Sequence, residues 1–119
     1  MKVEVKVTES FRKAAKPLIK KYRSFLDELE NLQAELLINP ETGTSLGNNV
    51  FKIRLKIKSK GKGKSGGARV ISYLEKNVVG IVNIERKKII VNLLTVYDKS
   101  EKESVTDTEL KQLIESLKS

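Results

Sequence analysis

The chain predicts an α+β fold: a curved antiparallel β-sheet with an N-terminal helical hairpin packed on one face and a C-terminal helix, in the order β-α-α-β-β-β-β-α. Three features carry that prediction. Residues 51–58 read Phe51-Lys52-Ile53-Arg54-Leu55-Lys56-Ile57-Lys58, an apolar residue and a cation in strict alternation. Side chains on a strand point to opposite faces at every step, so this octet has one apolar face and one cationic face. Two stretches nearer the N-terminus instead repeat apolar residues at helical spacing. Near the C-terminus, Thr106-x-x-Glu109 precedes an apolar helical stripe and reads as a capping box.

Taken in order, Val3, Val5 and Val7 alternate with Lys2, Glu4 and Lys6 and predict a short first strand. A helix is expected to begin near Thr8 to Ser10, with Phe11, Ala15, Leu18 and Tyr22 on its inner face. Pro17 falls inside that pattern and is expected to kink or shorten it. Ser24 to Asp27 fits a capping-box-like start of a second helix with Leu26, Leu29, Leu32 and Leu36 on one stripe, ended by Asn39-Pro40. The two helices form a hairpin closed around Tyr22 to Ser24. Glu41 to Asn49, rich in Gly, Thr, Ser and Asn, reads as a loop before the basic strand. Gly61, Gly63, Gly66 and Gly67 mark the next connection. Three apolar segments follow, Ala68–Glu75, Val78–Glu85 and Ile89–Tyr97, with short turns at Lys76-Asn77 and Arg86-Lys87-Lys88 that predict an antiparallel meander. The last helix carries Leu110, Leu113, Ile114 and Leu117, with Val105 placed to staple against Leu110. At 119 residues the chain reads as a single domain, 1–119, able to bury roughly two-thirds of its unfolded surface.

Composition excludes several classes. There is no cysteine, hence no disulfide framework, thiolate nucleophile or Cys-based zinc site. There is no histidine, the usual proton shuttle at neutral pH and the commonest metal ligand. The acids show no metal-ligand spacing, so neither metal nor cofactor is expected. No apolar run approaches the ~18 residues of a membrane span and the N-terminus has no signal-peptide core, which predicts an intracellular, cytoplasmic, soluble protein with no membrane partner.

The net charge is +9 and it is uneven: from Asp98 onward six acids face four lysines, net −2, which leaves +11 on residues 1–97. No acid occurs from Lys52 to Leu74. Four like charges side by side on a strand repel one another, so stability alone would not select them. Because the cations sit on a strand and a glycine loop, and not on an amphipathic helix, a nucleic acid is favoured over an anionic membrane. The candidate phosphate-holding residues are Lys52, Arg54, Lys56 and Lys58, continued by Lys60, Lys62 and Lys64, with Lys102 beyond the last strand.

Arg69 follows the Gly66-Gly67 pair, and the last strand exits through Tyr97-Asp98-Lys99-Ser100-Glu101-Lys102, which can converge on it. Such a site suits RNA cleavage, in which the 2′-hydroxyl attacks the adjacent phosphate. Clustered Lys and Arg stabilise the extra phosphate charge. A lysine crowded by cations has its pKa pushed down and can exchange protons. Tyr97 and Glu101 are the remaining proton-transfer candidates. Plainer readings stand next to these. The alternating strand and loop lysines could be solvated, Arg69 could pair with Glu75 or Glu85, Tyr97 could simply pack, and Glu101 and Glu103 could be first-turn acids of the final helix.

The run Lys62-Gly63-Lys64-Ser65-Gly66-Gly67-Ala68-Arg69-Val70-Ile71 resembles a signature of the RelE/ParE toxin superfamily in its HigB-like branch. The string Leu93-Leu94-Thr95-Val96-Tyr97-Asp98-Lys99-Ser100-Glu101-Lys102-Glu103 resembles the second landmark of that branch, followed as there by a capped helix after Val105-Thr106. The Lys20-Lys21-Tyr22 hairpin and the Phe51-Lys52-Ile53-Arg54 strand are similar to the family layout. The resemblance implies a type II toxin, an mRNA interferase that cuts mRNA on the ribosome without a metal. Its second partner would be a cognate antitoxin, often a helix-turn-helix protein. By position Arg69 matches the family's phosphate-stabilising arginine, Lys62 and Lys64 its loop lysines, and Tyr97 and Lys99 its strand exit. The chain departs from the pattern in lacking the histidines of some HigB-like members and a tyrosine in its last helix. Two alternatives remain: a non-enzymatic, ParE-type topoisomerase poison and a plain RNA-binding module.

Overall fold

A computed structural model describes residues 2–60, 66–81 and 84–118, with backbone only at Lys60, 78–81, 84–86 and Lys118. The elements are β1 (Lys2–Val7), α1 (Glu9–Lys21), α2 (Phe25–Ile38), β2 (Thr44–Gly47), β3 (Val50–Leu55), a 3-10 turn (Lys58–Lys60), β4 (Ala68–Ile81), β5 (Ile84–Asp98) and α3 (Asp107–Lys118). This is the α+β order expected, β-α-α-β-β-β-β-α. The strands form one five-stranded sheet in the order β1-β5-β4-β3-β2. The pairs from β2 to β5 are antiparallel, whereas β1 lies parallel to β5, with Val3 opposite Ile89 and Val7 opposite Leu93. The sheet is therefore mixed. A parallel pair needs a long crossover, and the helical hairpin together with the other strands supplies it.

Two strand boundaries differ from the expectation. The segment 41–49 contains β2, which turns into β3 through Asn48 and Asn49 at φ 52° and 64°. Asparagine tolerates the left-handed region that tight hairpin turns require, so the polar run is a hairpin and not a plain loop. The three apolar segments after residue 67 are two long strands. Lys76 pairs with Ile89, Asn77 with Lys88, Val79 with Arg86 and Ile81 with Ile84, so both predicted turns lie inside strands. Pairing to β1 ends at Lys2–Lys88 and pairing to β3 at Val50–Tyr73. Past these points only β4 and β5 pair, and polar residues there occupy strand positions that no third strand flanks.

α1 is capped by Thr8, whose Oγ1 accepts the Phe11 N–H at 3.2 Å, and buries Phe11, Ala15 and Leu18 with Tyr22 just beyond its end. The helix runs to Lys21 through Pro17, so the expected shortening does not occur. α2 buries Phe25, Glu28, Leu32 and Leu36, while Leu26 is 54% exposed; the stripe is rotated from the one predicted. The Ser24 hydroxyl accepts no backbone N–H of α2; it lies against the Glu28 carboxylate and Ser59 instead. The box at Thr106 does form: Thr106 N–H donates to Glu109 Oε1 at 3.0 Å and Glu109 N–H to Thr106 Oγ1 at 3.1 Å.

The sheet buries apolar residues on two faces. Against α1 and α2 it sets Phe51, Ile53 and Leu55 of β3, Val70 and Leu74 of β4, and Val91 and Val96 of β5, with Ile57 just beyond β3. On the other face Ile71, Leu94 and Tyr97 pack with Val105, Leu110, Leu113, Ile114 and Leu117. A bulge makes this possible: Ile71 faces Thr95 and Ser72 faces Leu93, and Leu94 between them joins the α3 side. The second face is thus partly covered by α3 and not left wholly to the cations.

Gly67 closes the path from the glycine segment into β4. Its φ is 64°, and a Cβ there would lie 2.2 Å from the Leu55 carbonyl oxygen. Gly67→Ala is expected to cost about 2–4 kcal/mol in urea unfolding, through backbone strain and that clash. Gly47→Ala, at φ 89° but with open space around it, is expected to cost only about 1 kcal/mol.

Candidate nucleic-acid interface

The alternation of the basic octet is reproduced in burial. Phe51, Ile53, Leu55 and Ile57 are buried, Arg54, Lys56 and Lys58 are exposed, and Lys52 is half-buried. Register places the cations: Lys52 lies opposite Ile71, itself opposite Thr95, and Arg54 lies opposite Arg69, itself opposite Tyr97. Lys52 and Arg54 therefore project from the face that carries α3, beyond the strip that α3 covers. Among the described residues none of Lys52, Arg54, Lys56 and Lys58 has a carboxylate within 4.0 Å. Arg54 and Arg69 are directly opposed like charges, an arrangement that destabilises a sheet unless an anion joins it. For Lys60 only the backbone is described, and Lys62 and Lys64 lie outside the described residues.

Arg69 is 8% exposed. Its Nη1 donates to the Gly66 carbonyl at 2.5 Å and the Ala68 carbonyl at 3.1 Å. A Cβ on Gly66 would sit 3.3 Å from the Arg69 Nη2, so glycine leaves the guanidinium its space. Arg69 does not pair with Glu75, whose Oε1 accepts from Asn92 Nδ2 at 2.9 Å. The side chain of Glu85 lies outside the description. A buried cation held, among the described residues, by carbonyls alone carries a desolvation penalty that an incoming anion would offset.

Tyr97, also 8% exposed, packs beneath α3, and its hydroxyl has no hydrogen-bond partner among the described residues. Burial pushes its pKa up, opposed by the nearby charges of Arg69 and Lys102. A pocket of about 380 Å³ between β5 and α3 is lined by Tyr97, Lys102, Glu109 and Gln112, yet the hydroxyl itself is sealed from solvent. Lys102 is ion-paired with Glu109, whose carboxyl that hydrogen bond holds below the usual range. Lys99 stays near the glycines: its N–H donates to the Gly67 carbonyl at 3.0 Å and its Nζ to the Glu103 carbonyl at 2.7 Å. Glu101 pairs with Lys21 at 3.2 Å, six residues before α3 starts. Of the strand exit, Tyr97 lies opposite Arg69 and the Lys99 backbone meets Gly67, while the Lys99, Glu101 and Lys102 side chains are engaged by Glu103, Lys21 and Glu109.

Two arrangements escaped the sequence. Tyr22 Oη donates to Asp98 Oδ2 at 2.6 Å, and Asp98 Oδ1 accepts from Ser100 N–H at 2.9 Å and Ser100 Oγ at 2.7 Å. This buried carboxylate ties the end of α1 to the exit of β5. Glu28 Oε2 accepts from Lys58 N–H at 2.8 Å and Ser24 Oγ at 2.9 Å, joining α2 to the end of the basic strand. A signal for Glu28 existed: it occupies an inner position of the stripe that runs through Phe25, Leu32 and Leu36. Among the described residues no three acidic side chains gather as a metal site, and no helix is long and apolar enough to cross a membrane.

Because the Tyr97 hydroxyl is buried and unpartnered, Tyr97→Phe is expected to keep or raise stability at pH 7, by up to about 1 kcal/mol, in urea unfolding. The raised pKa sets the alkaline behaviour. Its contribution is present in full below the unfolded pKa of about 10 and is lost as pH rises through the folded value. The phenylalanine variant should lose less stability than the parent above pH 10.

No protein-family model matches the chain and no solved structure matches it. The RelE/ParE resemblance therefore stands on the two sequence strings that carry it.

Proposed function

We propose that the chain is a RelE-like toxin of a type II toxin-antitoxin system, an endoribonuclease that cleaves mRNA on the ribosome by 2′-hydroxyl attack. The observation that carries this reading is the row of cations on and just beyond β3, exposed except for the half-buried Lys52, none paired with a carboxylate among the described residues, with Arg54 in register with Arg69. In this reading Lys52, Arg54, Lys56 and Lys58 hold successive phosphates, with Lys60 and Lys62 continuing the track. Arg69 takes the scissile phosphate, exchanging its bonds to the neutral Gly66 and Ala68 carbonyls for bonds to an anion. Lys64 and Lys99 handle the two protons, Tyr97 joining them only if its hydroxyl, sealed beneath α3, is uncovered, and the extra charge on the phosphate is met by fixed cations. No metal or cofactor is assigned. The protein would act in the cytoplasm, restrained by a cognate antitoxin, a helix-turn-helix protein.

A second reading is favoured by one specific observation. Arg69 and Tyr97 are both buried, whereas the β3 cations are open. A plain RNA-binding module needs the open cations and has no use for the buried pair. A topoisomerase poison would need neither.

Arg69→Ala is expected to abolish growth inhibition in cells while leaving the fold and antitoxin binding intact. Transcript ends mapped after induction should fall in codon phase and vanish when translation is blocked. A fully toxic Arg69→Ala variant removes the catalytic assignment. Cuts that persist without translation remove the ribosome, and RNA binding without cuts leaves the module reading.

A further inference from the structure

We infer that Glu28, Ser24 and Ser59 are positioning residues that preset the cationic exit of β3 for a phosphate chain, an inference resting on the RNA-binding part of the reading above. The β3–β4 ladder ends at Leu55 opposite Ala68. Lys56 and Lys58 lie beyond its last pair, so the sheet does not fix them. Glu28 of α2 does. It is 7% exposed, and one of its oxygens accepts both the Lys58 N–H at 2.8 Å and the Ser24 hydroxyl at 2.9 Å.

The two serines complete the clamp. Ser59 N–H donates to Ser24 Oγ at 2.9 Å, Ser24 N–H donates to Ser59 Oγ at 3.0 Å, and the two hydroxyl oxygens are 2.9 Å apart. Ser24 stands at the N-cap of α2, yet its hydroxyl accepts no backbone N–H of that helix. Its hydroxyl is used to hold the 3-10 turn. Ile57 is buried between Lys56 and Lys58, which turns both lysines outward. Neighbouring cations repel, and an unanchored exit would spread them apart. Anchoring it beforehand removes part of the ordering cost at the moment of binding.

The assignment has a sign that charge alone would reverse. As a negative charge near the track, Glu28 opposes a polyanion; as an anchor for the backbone of Lys58, it favours one. The test is fluorescence anisotropy of a short fluorescein-labelled single-stranded RNA titrated with the full chain. Glu28→Ala should bind about tenfold more weakly, with the salt dependence of binding unchanged because no phosphate contact is deleted. Ser59→Ala should weaken binding several-fold. Glu28→Gln, which keeps an acceptor oxygen and drops the charge, should bind as tightly as the parent or tighter.

Folded Glu28→Ala with parental or tighter affinity overturns the inference. Should that variant fail to fold, Ser59→Ala decides the matter, and parental affinity there overturns it equally. Absence of RNA binding by the parent chain removes the RNA reading and this inference together, whereas indifferent variants of a binding parent remove only the positioning role.

Discussion

The arrangement depends on how unequally the two faces of the sheet are covered. α1 and α2 span the face that receives Phe51, Ile53 and Leu55, while α3 covers only the strip of the other face formed by Ile71, Leu94 and Tyr97. Burying a charge without a partner costs far more than burying a methylene gains. On the second face the exposed cation Arg54 lies on β3 outside the strip that packs with α3, whereas the buried Arg69 is held by backbone carbonyls. The strict alternation of residues 51–58 is the sequence form of this limit. One set of side chains must enter the helix-facing core, and the other set has only solvent or a ligand to meet.

The same limit divides the candidate site in two. The outer part is a row of open cations that can hold a polyanion from solution, with Arg54 leading in register to Arg69. The inner part is closed. The Arg69 guanidinium lies against backbone carbonyls, and the Tyr97 hydroxyl is sealed under α3. In the proposed reading a phosphate arriving along β3 competes with neutral carbonyls for the arginine, and the attraction between opposite charges favours the phosphate. Bonds that do not touch the ligand set the geometry of both parts. Gly67 lets β4 start close to Leu55, Asp98 fixes the exit of β5 to Tyr22, and Glu28 holds the turn after the basic strand.

Much of this was legible in the residues. Alternation located β1 and the basic strand, helical spacing located the inner face of α1, and Thr106-x-x-Glu109 located the start of α3. Reading failed where position alone decides. Lys76-Asn77 and Arg86-Lys87-Lys88 carry turn chemistry, but each is paired across the β4–β5 ladder, near or just past the last pair with β1, so they remain in the strands. Asn48-Asn49 was legible as polar but not as the left-handed pair that makes 44–47 a strand. Leu26 looked like a core residue because α2 is apolar on more than one side; the buried stripe includes Glu28 because a backbone amide and a serine hydroxyl meet it there. The choice of faces was also hidden. Periodicity says that α3 has an apolar stripe, not which side of the sheet receives it.

The open, uncompensated cation row of β3 is the claim on which the functional reading stands, and the salt dependence of RNA affinity measures it most directly. Replacing Lys52, Arg54 and Lys58 together by alanine should reduce the slope of log affinity against log salt by roughly 2, about 0.7 for each lost contact with a single strand. A slope equal to that of the parent chain would mean that these side chains touch no phosphate, and would contradict the account.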